Sequence, residues 1–409
     1  MGEDYLMMAV SHKVNIRNFI LLLFFFGVIV LDNGSLSMKF IKLLTFIFAL
    51  LSFVQTRKFS INEYVAWLAT FTVFSALSVL WAYDKQITIE AVMTSALNLA
   101  CVWSILYMLG EGSLIQSKRI QMVLWSIPIF SIAYFVRLFL TYGADVLTGI
   151  RYIEEESTSV HNNLGTYSAI SIAIIVNFLN VTKKKSFLLI ALLGVNVIVL
   201  ILSGSRKSIL YALVPIATIY LLKRKNPFKV IRNGIFSLGA VAVFYYAIMN
   251  NSFFYNSIGH GIETLLEGLV GNATDASTAG RLRIISWGME QFKSNWLLGV
   301  GLEGFKMLHL SVYGNLAIAD NNYIELLVDL GLVGFIIYYL FYTKFVVNLF
   351  KVLKRKKERS KIAFVLGVIC AVLICDYGCC SYKNLFLLSV MGIMWCIYKL
   401  ERQSVGTSV

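Results

Sequence analysis

The chain has 409 residues, of which 58% are hydrophobic and only 14% charged, with a mean hydropathy of +0.75. A soluble domain carries roughly 25% charged residues, so this composition excludes a water-soluble globular protein and makes the bilayer the main solvent. The formal charge of +14 does not indicate a nucleic-acid partner, because the 36 basic residues sit mainly in short segments between apolar runs, where they orient a membrane protein.

A helix needs about 20 apolar residues to cross roughly 30 Å of hydrocarbon. Runs of that kind predict spans at 18–33, 39–54, 63–82, 88–109, 120–141, 164–181, 187–203, 207–222, 231–250, 323–348, 361–377 and 383–399. The first follows Lys13 and Arg17 and could imitate a secretory signal, but no clear small-residue cleavage site follows it, so it counts as a span. With the N-terminus inside, 23 cations fall on the inner side and 11 on the outer, while Arg137 and Lys344 lie within spans and complete the 36. Both termini are therefore expected on the cytoplasmic side. The expected fold is all-α: a polytopic membrane protein of about 12 transmembrane helices.

Two outer loops are long. The first, 142–163, holds the acidic run Glu154-Glu155-Glu156 and ends on His161-Asn162-Asn163. The second, 251–322, far exceeds what joining two helices requires, and loops of that length usually carry function. Within it, Leu282, Ile285, Met289 and Phe292 recur at helical spacing, predicting an amphipathic helix over 280–296, with Ser277 and Thr278 as N-caps. Such a helix is suited to lie along the membrane surface. The six cysteines lie in or beside apolar segments without metal-ligand spacing, which favours a packing role.

No P-loop, GxGxxG, HExxH or serine nucleophile elbow occurs, so candidates for chemistry are polar groups at the outer helix ends. Three clusters stand out. Ser203-Gly204-Ser205-Arg206-Lys207-Ser208 places two cations on a short outer turn, where positive-inside bias makes them unusual, and an arginine there suits bidentate phosphate binding. Gly280-Arg281-Leu282-Arg283 opens the loop helix, and Asn295-Trp296-Leu297-Leu298-Gly299-Val300-Gly301 closes it with a glycine turn. Asp320-Asn321-Asn322-Tyr323-Ile324-Glu325 leads into the tenth span, followed by Gly331-Leu332-Val333-Gly334; Asp320 alone reads as an N-cap. Arg137, costly in lipid, is expected to face a polar cavity.

The three clusters in this order resemble the Wzy-type polysaccharide polymerases and O-antigen ligases of bacterial surface-glycan assembly. The resemblance rests on the Gly204-Ser205-Arg206 turn, the Gly280-Arg281 helix start, the Gly299-Val300-Gly301 turn and the stretch from Asp320 to Gly334; the Asn-rich start of the sixth span at Asn162 agrees with it. Trp296 stands where a proline is common and Asp320 where the ligases typically have histidine, which favours polymerase over ligase.

The resemblance implies glycosyl transfer at the outer face of a bacterial cytoplasmic membrane. Donor and acceptor would be undecaprenyl-diphosphate-linked glycans, with a chain-length regulator and a flippase of the same pathway as further partners, and without cofactor, nucleotide sugar or metal. It assigns Arg206, Arg281 and Asp320 as catalytic residues, the arginines stabilising the leaving diphosphate and Asp320 acting as general base if burial raises its pKa. Lys207, Arg283, Arg137, Asn321, Asn322, Tyr323, Glu325 and Asn162 are the expected substrate contacts. The chain then divides into a nine-helix region at 1–250, a catalytic loop at 251–322 and a three-helix region with a short tail at 323–409. The alternatives are an O-antigen ligase, a lipid-linked-oligosaccharide flippase or transporter, and a channel or scaffold whose motifs are plain turns. The one-sided concentration of polar residues at 203–208 and 277–325 argues against the transporter.

Overall fold

The computed structural model describes the chain apart from residues 1, 32–33, 57–61, 111–112, 149–157, 183–185, 357–358, 407–409 and most of 224–275. The expected ninth span, the acidic run at 154–156 and residues 251–275 of the large loop lie outside the described residues.

Among the described residues the fold is all helical. In chain order the helices are α1 Gly2–Val30, α2 Leu36–Thr56, α3 Glu63–Leu77, α4 Lys85–Leu109, α5 Ser113–Tyr142, α6 Thr158–Thr182, α7 Phe187–Ser203 and α8 Arg206–Leu222. After the gap come α9 Ala276–Ser294, α10 Gly304–Tyr313, α11 Asn322–Arg355, α12 Ser360–Cys375 and α13 Leu385–Gly406. All except α9 and α10 coincide with expected spans. Six helices, α2 to α6 and α11, are long and apolar enough to cross a membrane, and the apolar stretches Ile16–Val30, Phe187–Ser203 and Ser360–Cys375 are shorter. Large apolar side chains point outward along them, such as Phe19, Phe40, Val73, Phe187 and Ile198, as a lipid-facing surface requires. The chain is a multi-pass membrane protein.

Helix starts follow local chemistry. Asn62 and Asp84 cap α3 and α4 by accepting hydrogen bonds from the N–H groups of Val65 and Ile87. Helix α6 runs through the middle of the bundle and is mostly buried, whereas α2 is peripheral and mostly open. Helix α12 packs closely along α8, and α6 contacts both α7 and α8.

Polar contacts between separate segments gather at the two ends of the bundle. At one end Arg119 donates to the carbonyl of Met108 and to Asn18, Lys223 to Asn180, and Lys356 and Lys361 pair with Glu401. At the other, Arg137 donates to the carbonyl of Val30, Tyr83 N–H to that of Val300 at 2.7 Å, and Asn322 N–H to that of Asp376 at 2.7 Å. The described part of the large loop, from 276 on, is seated on the second of these ends.

Candidate functional site

The loop is joined to the bundle through backbone. Residues 296–301 run beside 328–333: the N–H groups of Val300 and Gly301 donate to the carbonyls of Val328 and Asp329 at 3.0 and 2.8 Å, and those of Leu332 and Val333 to Trp296 and Leu297 at 2.8 and 3.2 Å. This ladder needs a break in α11, and the break is at Gly331, with φ 65° and ψ −169°. A Cβ at Gly331 would lie 2.3 Å from the Leu297 carbonyl oxygen, and one at Gly299, also left-handed at φ 72°, 2.4 Å from Asp329 backbone. The two glycine motifs are therefore the two halves of one contact. The turn does more than close α9.

Asp329, fully buried, uses both carboxylate oxygens on the same junction. They accept from the N–H groups of Glu303 and Phe305 at 2.8 Å each and so satisfy the start of α10. Sequence reasoning passed over this residue, although an aspartate within an apolar span was a signal.

Helix α9 begins at Ala276, four residues before the expected start, so Ser277 and Thr278 lie inside it rather than capping it. Its buried stripe also differs from the expected one. Trp287 and Gly288 face inward with Ile284, Ile285 and Phe292, while Met289 is 36% exposed. The stripe packs on Val300, Phe305, Ala319, Ile324 and Val328, so α9 rests on α10 and the first turns of α11.

That packing brings the first turns of α9 against the end of the loop. The Arg281 guanidinium lies 3.5 Å from the Asp320 carboxylate, with the side chains 54% and 32% exposed. Asp320 is in the left-handed region at φ 49°. It is not the N-cap of α11; Asn321 is, accepting from Tyr323 and Ile324 N–H. Nor is Asp320 buried as a base activated by desolvation would be: it is partly open and held by a cation. Arg283 is exposed on α9, two residues along from Arg281.

The 203–208 turn lies flat on α6. A Cβ at Gly165 would sit within 2.8 Å of the side chains of Ser203, Ser205 and Ser208, so only glycine admits the turn. Ser205 Oγ donates to Asn162 Oδ1 at 3.0 Å and accepts from Ser208 Oγ at 2.7 Å. Arg206 is the first residue of α8, half-buried at the helix's positive end. Lys207 reaches across to donate to the Gly378 carbonyl at 2.7 Å.

Residues 376–383, between α12 and α13, were missed as a cluster by sequence reasoning, because their partners are far apart in the chain. Asp376, fully buried, accepts from Tyr339 OH at 2.9 Å and from Asn322 Nδ2, while Asn322 Oδ1 accepts from Tyr382 N–H. Tyr323 stacks on Tyr339 and donates to the Leu373 carbonyl. Lys383 pairs with Glu325 at 2.9 Å and with Glu303 at 3.3 Å, and Glu303 also pairs with Lys306. Burial would raise the Glu303 carboxyl, but Lys383 and Lys306 outweigh it and hold the group below its usual value of 4.5.

The expected site residues thus have different surroundings. Arg281 and Asp320 face each other in the open, and Asn162, Arg206 and Lys207 gather around the serine turn. Asn321, Asn322, Tyr323 and Glu325 are tied into the start of α11, and Arg137 is engaged with the end of α1.

No curated protein matches the chain. Residues 187–339, from the start of α7 into the second part of α11, match the family model described as O-antigen ligase, and the matched segment includes the serine turn, the Arg281–Asp320 pair and the kink of α11.

Proposed function

We propose that the protein is a polymerase that joins lipid-diphosphate-linked oligosaccharide repeat units at the outer face of the membrane. The reading is carried by the Arg281–Asp320 pair, which sets a phosphate-binding cation against a carboxylate, half exposed, within the matched domain. A diphosphate that engages Arg281 draws the guanidinium away from Asp320 and leaves that carboxylate next to the acceptor. The acceptor hydroxyl oxygen then bonds to the donor's anomeric carbon, and the bond from that carbon to the diphosphate oxygen breaks. The hydroxyl proton passes to Asp320, and the lipid diphosphate departs against Arg281 and Arg206. Arginines cannot deprotonate at physiological pH, and each donor aimed at developing charge contributes about 3 kcal/mol of transition-state stabilisation.

The description of the matched family favours a second reading, in which finished polymer is transferred to another lipid or to a protein. Deletion of the gene followed by gel analysis of surface glycan separates the two. Single capped repeats are the outcome expected of a polymerase; accumulated lipid-linked polymer would establish a ligase, and intermediates held on the cytoplasmic face would mean a flippase.

A further inference from the structure

Lys383 lies outside the segment matched by the family model, and nothing in the proposed chemistry uses it. Its ammonium nevertheless holds two carboxylates from separate parts of the chain: Glu325, on the first turn of α11, at 2.9 Å, and Glu303, at the start of α10 in the loop, at 3.3 Å. Glu325 is only 2% exposed, and Tyr382 OH lies 3.5 Å from the same oxygen that meets Lys383. The Lys383 carbonyl accepts from Asn98 of α4 at 3.3 Å, which fixes the backbone beneath the ammonium.

The geometry points to Lys383 as a positioning residue that clamps the loop onto the bundle and thereby sets Arg281 against Asp320. The path is continuous. Lys383 holds the side chain of Glu303, whose N–H is held by Asp329, and two residues on Phe305 packs against Trp287 of α9, the helix that carries Arg281. On its other side Lys383 holds Glu325, five residues beyond Asp320. One cation therefore ties both partners of the Arg281–Asp320 pair to the same point, and a misplacement of about 1 Å at such a pair costs on the order of 10²-fold in rate.

Removing the cation alone strands a buried carboxylate, which destabilises by itself. The test therefore compares Lys383→Met, Lys383→Met with Glu325→Gln, and Lys383→Arg, each as the full chain in membranes. Two readouts are taken: amide hydrogen exchange over 299–305, and glycan formation in cells lacking the native gene. Glycan formation rests on the polymerase reading; amide exchange does not, so if the unaltered protein forms no polymer that reading fails while exchange still decides the clamp. The double variant is expected to insert and melt like the unaltered protein, yet to exchange about ten-fold faster over 299–305 and to form about 10²-fold less glycan. Lys383→Arg is expected to restore both. Unaltered exchange in the double variant overturns the inference, as does full glycan formation despite faster exchange, or a Lys383→Arg variant no better than Lys383→Met.

Discussion

Arg281 and Asp320 have separable roles on the proposed mechanism. Arg281→Ala removes the charge that meets the diphosphate, and polymer formation is expected to fall by about 10²-fold or more while the protein still inserts. Asp320→Asn keeps size and polarity but takes no proton, so its loss is expected in kcat rather than KM with purified lipid-linked substrate. Full turnover in the Asp320→Asn protein would remove the general base and leave Asp320 only the task of aiming Arg281. Individual residues were legible where chemistry alone identifies them, as an outer arginine or an acid at a span mouth does. The roles of neighbours were not: Asn321 and Asn322 sit side by side in sequence, yet one caps α11 and the other donates to Asp376 after α12 and to Tyr339 beyond the break in α11 itself. A cap depends on which residue leaves the helical backbone, and Asp320, left-handed at φ 49°, passes that position to its successor.

Among the elements, the loop base and α11 form one unit, and two expectations follow. Gly331→Ala places a methyl group 2.3 Å from the Leu297 carbonyl at a left-handed position, which is expected to cost about 2–4 kcal/mol. A lowered thermal midpoint in detergent and faster proteolysis of the loop would register it; an unchanged midpoint would mean the ladder adds no stability. The second concerns acid. Because the Glu303 carboxyl titrates below its usual 4.5 in the fold, its contribution is fully present above that value and is lost as pH falls through the lowered one. The stability gap between the unaltered protein and Glu303→Gln should therefore be constant at neutral pH and close on acidification; a gap that widened in acid would reverse the sign. The glycines were legible as a turn and a helix step, but their pairing was not, since the two motifs are some thirty residues apart and only the kink of α11 brings their backbones together.

At the scale of the whole molecule, hydropathy carried most of the fold because the bilayer imposes a length on each helix and the cations sort the connections. Position in the bundle escaped it: α6 and α2 read alike as apolar runs, yet one is central and the other peripheral. The same cation pattern predicts that both termini face the cytoplasm, which reporter fusions at each end would check; reporters active only outside the membrane should be silent at both. The ladder between 296–301 and 328–333 has a mechanical consequence for this architecture. Hinging the loop away at that edge would break four backbone hydrogen bonds between it and α11 and strand their donors and acceptors, so that edge behaves as a fixed jamb.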